Sequence, residues 1–372
     1  MKTHLLSTVV ICALSAATAY SQNNSETNKP ATIPTPTIGL KDAYAGKFLI
    51  GTAGDVPRGY SAAELANIKA NYNVLTPENN MKPQPIHPAE DRYNFAAPDA
   101  LVQWCSDNNI KVWGHNLAWH AQTAPWFFQG TNGEPVTREL AMERLSNHIH
   151  AVAGHYKGKL YGWDVVNEAI NDRGDWTTEN LRNDAWVKVI GPDFLTMAFK
   201  WAHEADPNAL LFYNDYNIEQ GAVKGTGKHA ASMLLLKRMI KDGAPINGVG
   251  IQGHWHLDTN LADVEKAITD YESLGLKVDI SELDVTSTGE NSGAFGVRGG
   301  GPITPEAVQK QAEVFGKLFE IFNRHASCID HVTLWGINDN RSWRRGQGAL
   351  LFDGQMQPKP SLQAVLDAAK GK

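Results

Sequence analysis

The sequence predicts an α/β protein built as a single closed (β/α)8 barrel of the TIM type, and three observations lead there. Eight short runs rich in Val, Ile, Leu and aromatic residues alternate with seven helical patterns, which implies a parallel sheet covered by helices. The length, 372 residues, accommodates one large barrel as well as two average domains. No glycine-rich phosphate turn follows the first strand, where Gly51-Thr52-Ala53-Gly54 comes nearest, so an open doubly wound sheet is disfavoured.

In chain order, the first segment stands outside the barrel. Met1, Lys2 and His4 precede an apolar run from Leu5 to Ala17 that ends in Ala17-Thr18-Ala19. A basic start, a short apolar stretch and an A-x-A end read as a signal peptide over residues 1–19, too short for a comfortable membrane span. The chain is therefore expected to be exported, either to the periplasm or out of the cell. Residues 20–39, rich in Ser, Asn, Thr and Pro, cannot build a core and read as a flexible tether. The barrel is expected over residues 40–370.

The first strand is read over Lys47–Gly51, with a helix over Ser61–Ala70. The second, Tyr72–Thr76, runs into Pro77-Glu78-Asn79-Asn80-Met81-Lys82, ahead of a helix over Ala97–Asn108. The third, Ile110–Gly114, runs into His115-Asn116-Leu117-Ala118-Trp119-His120, ahead of a helix over Thr137–Tyr156. The fourth, Leu160–Val166, ends in Asn167-Glu168, and a helix over Pro192–Glu204 follows. The fifth, Ala209–Tyr213, leads to Asn214-Asp215-Tyr216-Asn217 and a helix over Gly225–Asp242. The sixth, Gly248–Gly253, carries Gln252 and leads to His254-Trp255-His256, then a helix over Leu261–Leu274. The seventh, Leu276–Ser281, leads to Glu282-Leu283-Asp284 and a helix over Thr304–Arg324; the eighth, His331–Gly336, carries Trp335 and leads to Asn338-Asp339. The C-terminal ends of barrel strands share one mouth, so seven polar clusters converge on one cleft.

Composition narrows the chemistry. Lys+Arg 34 against Asp+Glu 40 gives a formal charge of −6, and loss of Lys2 with the signal makes it more negative. That balance argues against nucleic acid or an anionic membrane surface as partner. No P-loop or G-x-S-x-G elbow is present, so no cofactor is expected. The 13 histidines show no HExxH or similar ligand spacing, so no metal is expected either. Cys105 and Cys328 remain after the signal. An exported protein could pair them, whereas their apolar, helix-like surroundings suit two buried free thiols. The chain is expected to be a monomer.

Splitting a glycosidic bond requires an acid to protonate the leaving oxygen and a second carboxylate to attack the sugar or activate water. The best pair is Glu168, ending the fourth strand, and Glu282, ending the seventh. Glu168 sits among Trp163, Val165, Val166, Ala169 and Ile170, a setting expected to favour its protonated form. Asn167 offers an amide to a sugar hydroxyl or to the acid. Asp284 shares a strand face with Glu282, and His254 ends the adjacent strand. A Glu282–His254–Asp284 network would keep Glu282 ionised and aimed. These residues alone do not assign which carboxylate attacks. Glu78, Lys82 and Gln252 beside Trp119, Trp335 and Trp343 suit a pyranose, which has an apolar face and a rim of hydroxyls. Two other readings are a carbohydrate-binding barrel without turnover and a metal-dependent hydrolase, the latter disfavoured by the missing ligand set.

The runs Thr76-Pro77-Glu78-Asn79-Asn80-Met81-Lys82, Gly114-His115-Asn116-Leu117-Ala118-Trp119-His120 and Trp163-Asp164-Val165-Val166-Asn167-Glu168-Ala169 resemble successive signatures of family 10 glycoside hydrolases, the retaining endo-β-1,4-xylanases. Tyr213-Asn214-Asp215-Tyr216-Asn217, Gly250-Ile251-Gln252-Gly253-His254, Ile280-Ser281-Glu282-Leu283-Asp284, Trp335-Gly336 and Ser342-Trp343-Arg344 continue the resemblance in the family's order, over about residues 40–368. The resemblance implies Glu168 as acid/base, Glu282 as nucleophile, and xylan or xylo-oligosaccharides as substrate. It implies Glu78, Asn79, Lys82, His115, Trp119, Gln252, Trp335 and Trp343 as sugar contacts, Asn167 and His254 as supports, and Tyr216 near the cleavage point. β-1,4-Glucan is the alternative substrate. Ser281 stands where Thr is commoner, and His256 is an added imidazole. Ser287–Pro302 is a long Gly-rich loop, read either as a flap over the cleft or as a surface insertion.

Overall fold

The computed structural model describes residues 37–288 and 302–371. The expected signal peptide, most of the tether, and most of the Gly-rich segment 287–302 lie outside the described residues. Among the described residues there are nine strands: β1 Leu49–Ala53, β2 Val74–Thr76, β3 Lys111–Trp119, β4 Gly162–Asn167, β5 Leu210–Asp215, β6 Gly248–Ile251, β7 His254–His256, β8 Lys277–Thr286 and β9 Ile329–Leu334. All pair in parallel. Neighbours pair in chain order from β1 to β6, β6 pairs with β8, β8 with β9, and β9 returns to β1, closing an eight-stranded barrel. β7 is a short spur laid along the outer end of β8, with His254 opposite Asp284.

The eight expected strands are the eight barrel strands, with shifted ends. β3 and β8 run on to Trp119 and Thr286, so residues expected just beyond the strand are part of it. Ser61 opens the helix Ala62–Asn71 with a capping box closed by Glu64, and Thr304 caps Pro305–Arg324. The sequence reading did not contain the short helices Leu40–Ala43, Pro83–Ile86 and Ala185–Val189, nor the C-terminal helix Pro360–Ala369.

Apolar residues separate into two clusters, because each strand presents alternate side chains to the barrel axis and to the helices. The larger cluster fills the layer between sheet and helices and includes Trp163, Leu211, Ile280 and Phe315. The smaller, Val74, Trp113 and Phe212, plugs the barrel interior. Glycines on neighbouring strands make room for these rings. A Cβ on Gly162 would lie 2.3 Å from the Trp113 ring, and one on Gly248 would lie 2.3 Å from Phe212. Cys105 and Cys328 are both buried and free, so of the two expectations the unpaired one holds.

Candidate active site

A cleft of about 610 Å3 opens at the C-terminal ends of the strands. Every residue expected at the site lines it except Asp284, which is fully buried behind His254. Trp119, Asn167 and Asn214 are register partners on β3, β4 and β5, so the floor is one row of the sheet. Register shifts in β3–β4, β4–β5 and β8–β9 rotate side chains out of strict alternation.

Glu282 is held on both oxygens. Asn214 Nδ2 donates to Oε1 at 2.8 Å and His254 Nε2 to Oε2 at 3.2 Å. His254 Nδ1 donates to Asp284 Oδ2 at 2.9 Å, Trp343 Nε1 donates to the same oxygen at 2.9 Å, and Arg344 Nε stands in ion-pair contact with Asp284 Oδ1 at 2.8 Å. Burial alone would push the His254 cation's pKa down. Asp284, and then Glu282, outweigh burial and lift it to about 9. Burial likewise pushes Glu282 up, but the hydrogen bond from His254 and nearby positive charge bring it below the ordinary carboxylate range. The expected Glu282–His254–Asp284 network is therefore present, and it keeps Glu282 ionised.

Glu168 has different company. Trp119 Nε1 donates to its Oε2 at 2.8 Å, and Gln252 Nε2 to its Oε1 at 2.9 Å. Both donors are neutral. The backbone of Glu168 is left-handed, with φ 58°, a conformation that costs a non-glycine residue about 1–2 kcal/mol. Three hydrogen bonds offset that cost and fix the turn: Glu168 N donates to Asn214 O at 2.8 Å, and Arg182 donates to Glu168 O and Ile170 O, each at 3.1 Å. Asn167 Oδ1 accepts from Asn214 Nδ2 at 2.9 Å and from Gln252 Nε2 at 3.4 Å. The two carboxylates are thus joined by a chain of amides: Gln252, Asn167 and Asn214.

The remaining expected contacts are also pre-set. Asp55 Oδ1 accepts from the amides of Asn79 and Asn80 at 3.1 Å, and Asn79 Oδ1 accepts from Lys82 Nζ at 3.2 Å. Lys82 Nζ lies 5.1 Å from the centre of the Trp119 ring. Burial lowers the Lys82 pKa and, with Asp55, raises that of Glu78, and both side chains line the cleft. Asp164 Oδ2 orients His115 through Nδ1 at 2.8 Å, and the His115 ring meets Trp335 edge to face at 5.3 Å.

Four functional residues escaped sequence reasoning. Asn214 stood in a quoted cluster without a role. Asp55 holds Asn79, and Arg182 holds Glu168 and Tyr216 Oη; neither has any periodic signal, because both sit in irregular loops. His120 is one of the 13 histidines read without a ligand role, yet its Nδ1 lies 3.9 Å from Glu168 Oε2; burial lowers its pKa to about 4, so it is neutral there. His256, also flagged, lines the cleft.

Residues 39–368 match the model of glycosyl hydrolase family 10. Endo-1,4-beta-xylanase A of Thermoanaerobacterium saccharolyticum is 36% identical over 353 residues, covering 92% of this chain and 29% of that protein. Exoglucanase XynX of Acetivibrio thermocellus is 35% identical over 353 residues, covering 92% of this chain and 30% of its own length. The chain spans less than a third of the length of these two relatives. Among solved structures, xylanase XynB from Paenibacillus barcinonensis, complexed with a conduramine derivative, superposes with a TM-score of 0.80 at 36% identity. That match covers 90% of this chain and 99% of the other.

Proposed function

The chain belongs to glycosyl hydrolase family 10, and on that footing we propose that it is an exported, monomeric endo-1,4-β-xylanase cutting internal β-1,4 links of xylan with retention of configuration. The observation that best supports this reading is the unequal support of two carboxylates facing one cleft. Glu282 is charged and braced by a cation and an amide; Glu168 rests on neutral N–H donors. In the reaction, a Glu282 oxygen attacks the anomeric carbon while Glu168 gives its proton to the departing glycosidic oxygen. The bond between that carbon and the leaving oxygen breaks, leaving a glycosyl ester on Glu282. Glu168, now a carboxylate, removes a proton from water, which attacks the same carbon and releases Glu282. Asn167 lies between the two carboxylates, in position to hold a sugar hydroxyl beside the reacting carbon.

Retention requires carboxyl groups about 5–5.5 Å apart, and the initial product observed by proton NMR is expected to be the β-anomer. Glu282→Ala is expected to abolish turnover on all substrates. Glu168→Ala is expected to keep activity on an aryl xylobioside with a good leaving group while losing it on xylan. Equal loss on both substrates, or an α-anomer product, contradicts the assignment. A second reading, β-1,4-glucan, draws on the similarity to a protein named an exoglucanase. The two sugars differ by one hydroxymethyl group, so rates on aryl xylobioside and aryl cellobioside decide between them. For export, N-terminal sequencing of protein recovered outside the cytoplasm is expected to begin after Ala19; light scattering checks the monomer.

A further inference from the structure

At the opposite end of the barrel from the cleft, three metal-ligating side chains meet where β8 and β9 begin. Glu272 stands in the last turn of the helix Leu261–Ser273, ahead of β8. His325 caps the helix Pro305–Arg324, and Cys328 immediately precedes β9. One carboxylate oxygen of Glu272, one ring nitrogen of His325 and Cys328 Sγ all lie within 4.8 Å of one another. His325 Nδ1 is 3.8 Å from Glu272 Oε2, and the Cys328 thiol donates to the backbone O of His325 at 3.3 Å. A tetrahedral cation with bonds of about 2.0–2.3 Å places its ligand atoms roughly 3.3–3.8 Å apart, so the cluster closes on one with side-chain adjustments of about an ångström.

A separate contact orients the imidazole. His325 Nε2 faces Glu265 Oε1 at 3.6 Å, and Arg324 Nε donates to that same oxygen at 2.8 Å. A cation held at Nδ1, beside Glu272 and Cys328, would leave the ring hydrogen on Nε2, facing Glu265, as in the carboxylate–histidine–metal arrangement of zinc proteins. We propose that Cys328, His325 and Glu272 bind one divalent cation of the zinc class, with water in the fourth position. The thiolate selects such a cation over magnesium or calcium, which prefer all-oxygen shells. Loading forms a sulfur–metal bond and releases the thiol proton to solvent. The cation joins the ends of two helices to the start of β9, a structural role remote from the cleft.

The test is a titration of the full chain, stripped of metal by chelator and kept reduced, first with Co2+ and then with Zn2+. The expected result is one equivalent of Co2+ giving a thiolate-to-cobalt charge-transfer band, displaced by one equivalent of Zn2+. No cysteine lines the cleft, so a cation held there does not give that band. His325→Gln and Glu272→Gln should each weaken binding by roughly tenfold or more. Cys328→Ser should abolish the band; because Cys328 is buried, the other two variants decide the matter if this one does not fold. Absence of the band in the wild type, or affinity unchanged in both His325→Gln and Glu272→Gln, overturns the proposal.

Discussion

Two buried acids flank one half-buried imidazole, and the pH behaviour of the site follows from that sandwich. His254 is raised to about 9, above its ordinary value of 6.5, by Asp284 and Glu282 acting against burial. Its contribution to stability is therefore full below about 6.5 and is lost as pH rises through about 9. Glu282 and Asp284 are both lowered, so their contribution is present above the ordinary carboxylate values of 4.5 and 3.8 and disappears only as pH falls below them. The triad is at full strength between those carboxylate values and 6.5. We predict that His254→Asn removes the alkaline decline: the denaturant midpoint of the wild type falls between about pH 7 and 9.5, whereas that of the variant stays level. The substitution also takes a charge-assisted hydrogen bond from the nucleophile, an interaction of about 1.5–3 kcal/mol, so kcat is expected to fall roughly 10–100-fold. A variant with wild-type kcat and the same alkaline decline would show that His254 carries no charge at neutral pH.

A single amide, Asn214 on β5, shows how the strands assemble the site. Its Nδ2 reaches Glu282 and Asn167, while its Oδ1 accepts from Ser281 Oγ at 2.6 Å. Ser281 and Glu282 are neighbours, and strict alternation would send them to opposite faces of β8. The register irregularity between Ile280 and Leu283 brings both to one amide. Space for that amide comes from β6, where a Cβ on Gly250 would stand 2.4 Å from Asn214 Oδ1 and 2.6 Å from Asp279 Oδ1. Gly250→Ala is accordingly expected to cost about 1–3 kcal/mol by overpacking and to lower kcat at least about tenfold by displacing Asn214 from Glu282. Denaturant unfolding and initial rates measure the two effects; unchanged kcat with reduced stability would mean that Asn214 does not position the nucleophile. This strand network also marks what the sequence discloses. Barrel strands alternate with helices and end in polar clusters, so eight strands, one mouth and both carboxylates were legible. The pairing of Glu282 and Asp284 around His254 was legible too, because residues two apart share a face. The bulges were not, since strands buried on both faces show no in–out alternation that an inserted residue could interrupt. Nor was the loop holding Arg182, whose hydrogen bonds reach backbone carbonyls that any sequence would supply. The Glu272–His325–Cys328 cluster escaped for a related reason: one of its members comes from a different helix, so no fixed spacing announces it.

At the scale of the molecule, the seam of the barrel is braced by the segment ahead of β1 and by the C-terminal helix, the eighth helix of the (β/α)8 pattern. The C-terminal helix Pro360–Ala369 buries Leu362, Val365 and Leu366, and is in contact with the long helix Pro305–Arg324. The N-terminal segment is tied to it: Tyr44 Oη donates to Val365 O at 2.7 Å, and Lys47 Nζ to Ala369 O and to Asn323 Oδ1, each at 3.0 Å. The final helix is the one that the (β/α)8 pattern requires after the eighth strand, but residues 337–359 separate the two without regular periodicity, and the sequence reading did not extend across them. Its role is nevertheless mechanical. β1 and β9 are hydrogen-bonded to each other, and the helices that follow and precede them in the chain must be anchored for the first and last strands to stay joined. Leu362 is 1% exposed, so Leu362→Ala deletes a buried side chain in this closure and is expected to cost about 2–5 kcal/mol. Because the closure lies outside the cleft, kcat at 25 °C should match the wild type while the denaturant midpoint falls. A cost below about 1 kcal/mol would mean that the barrel holds its seam without the C-terminal helix. A matching fall in kcat would mean instead that strain at the seam is transmitted along β9 to Trp335, which follows directly on the last residue of that strand.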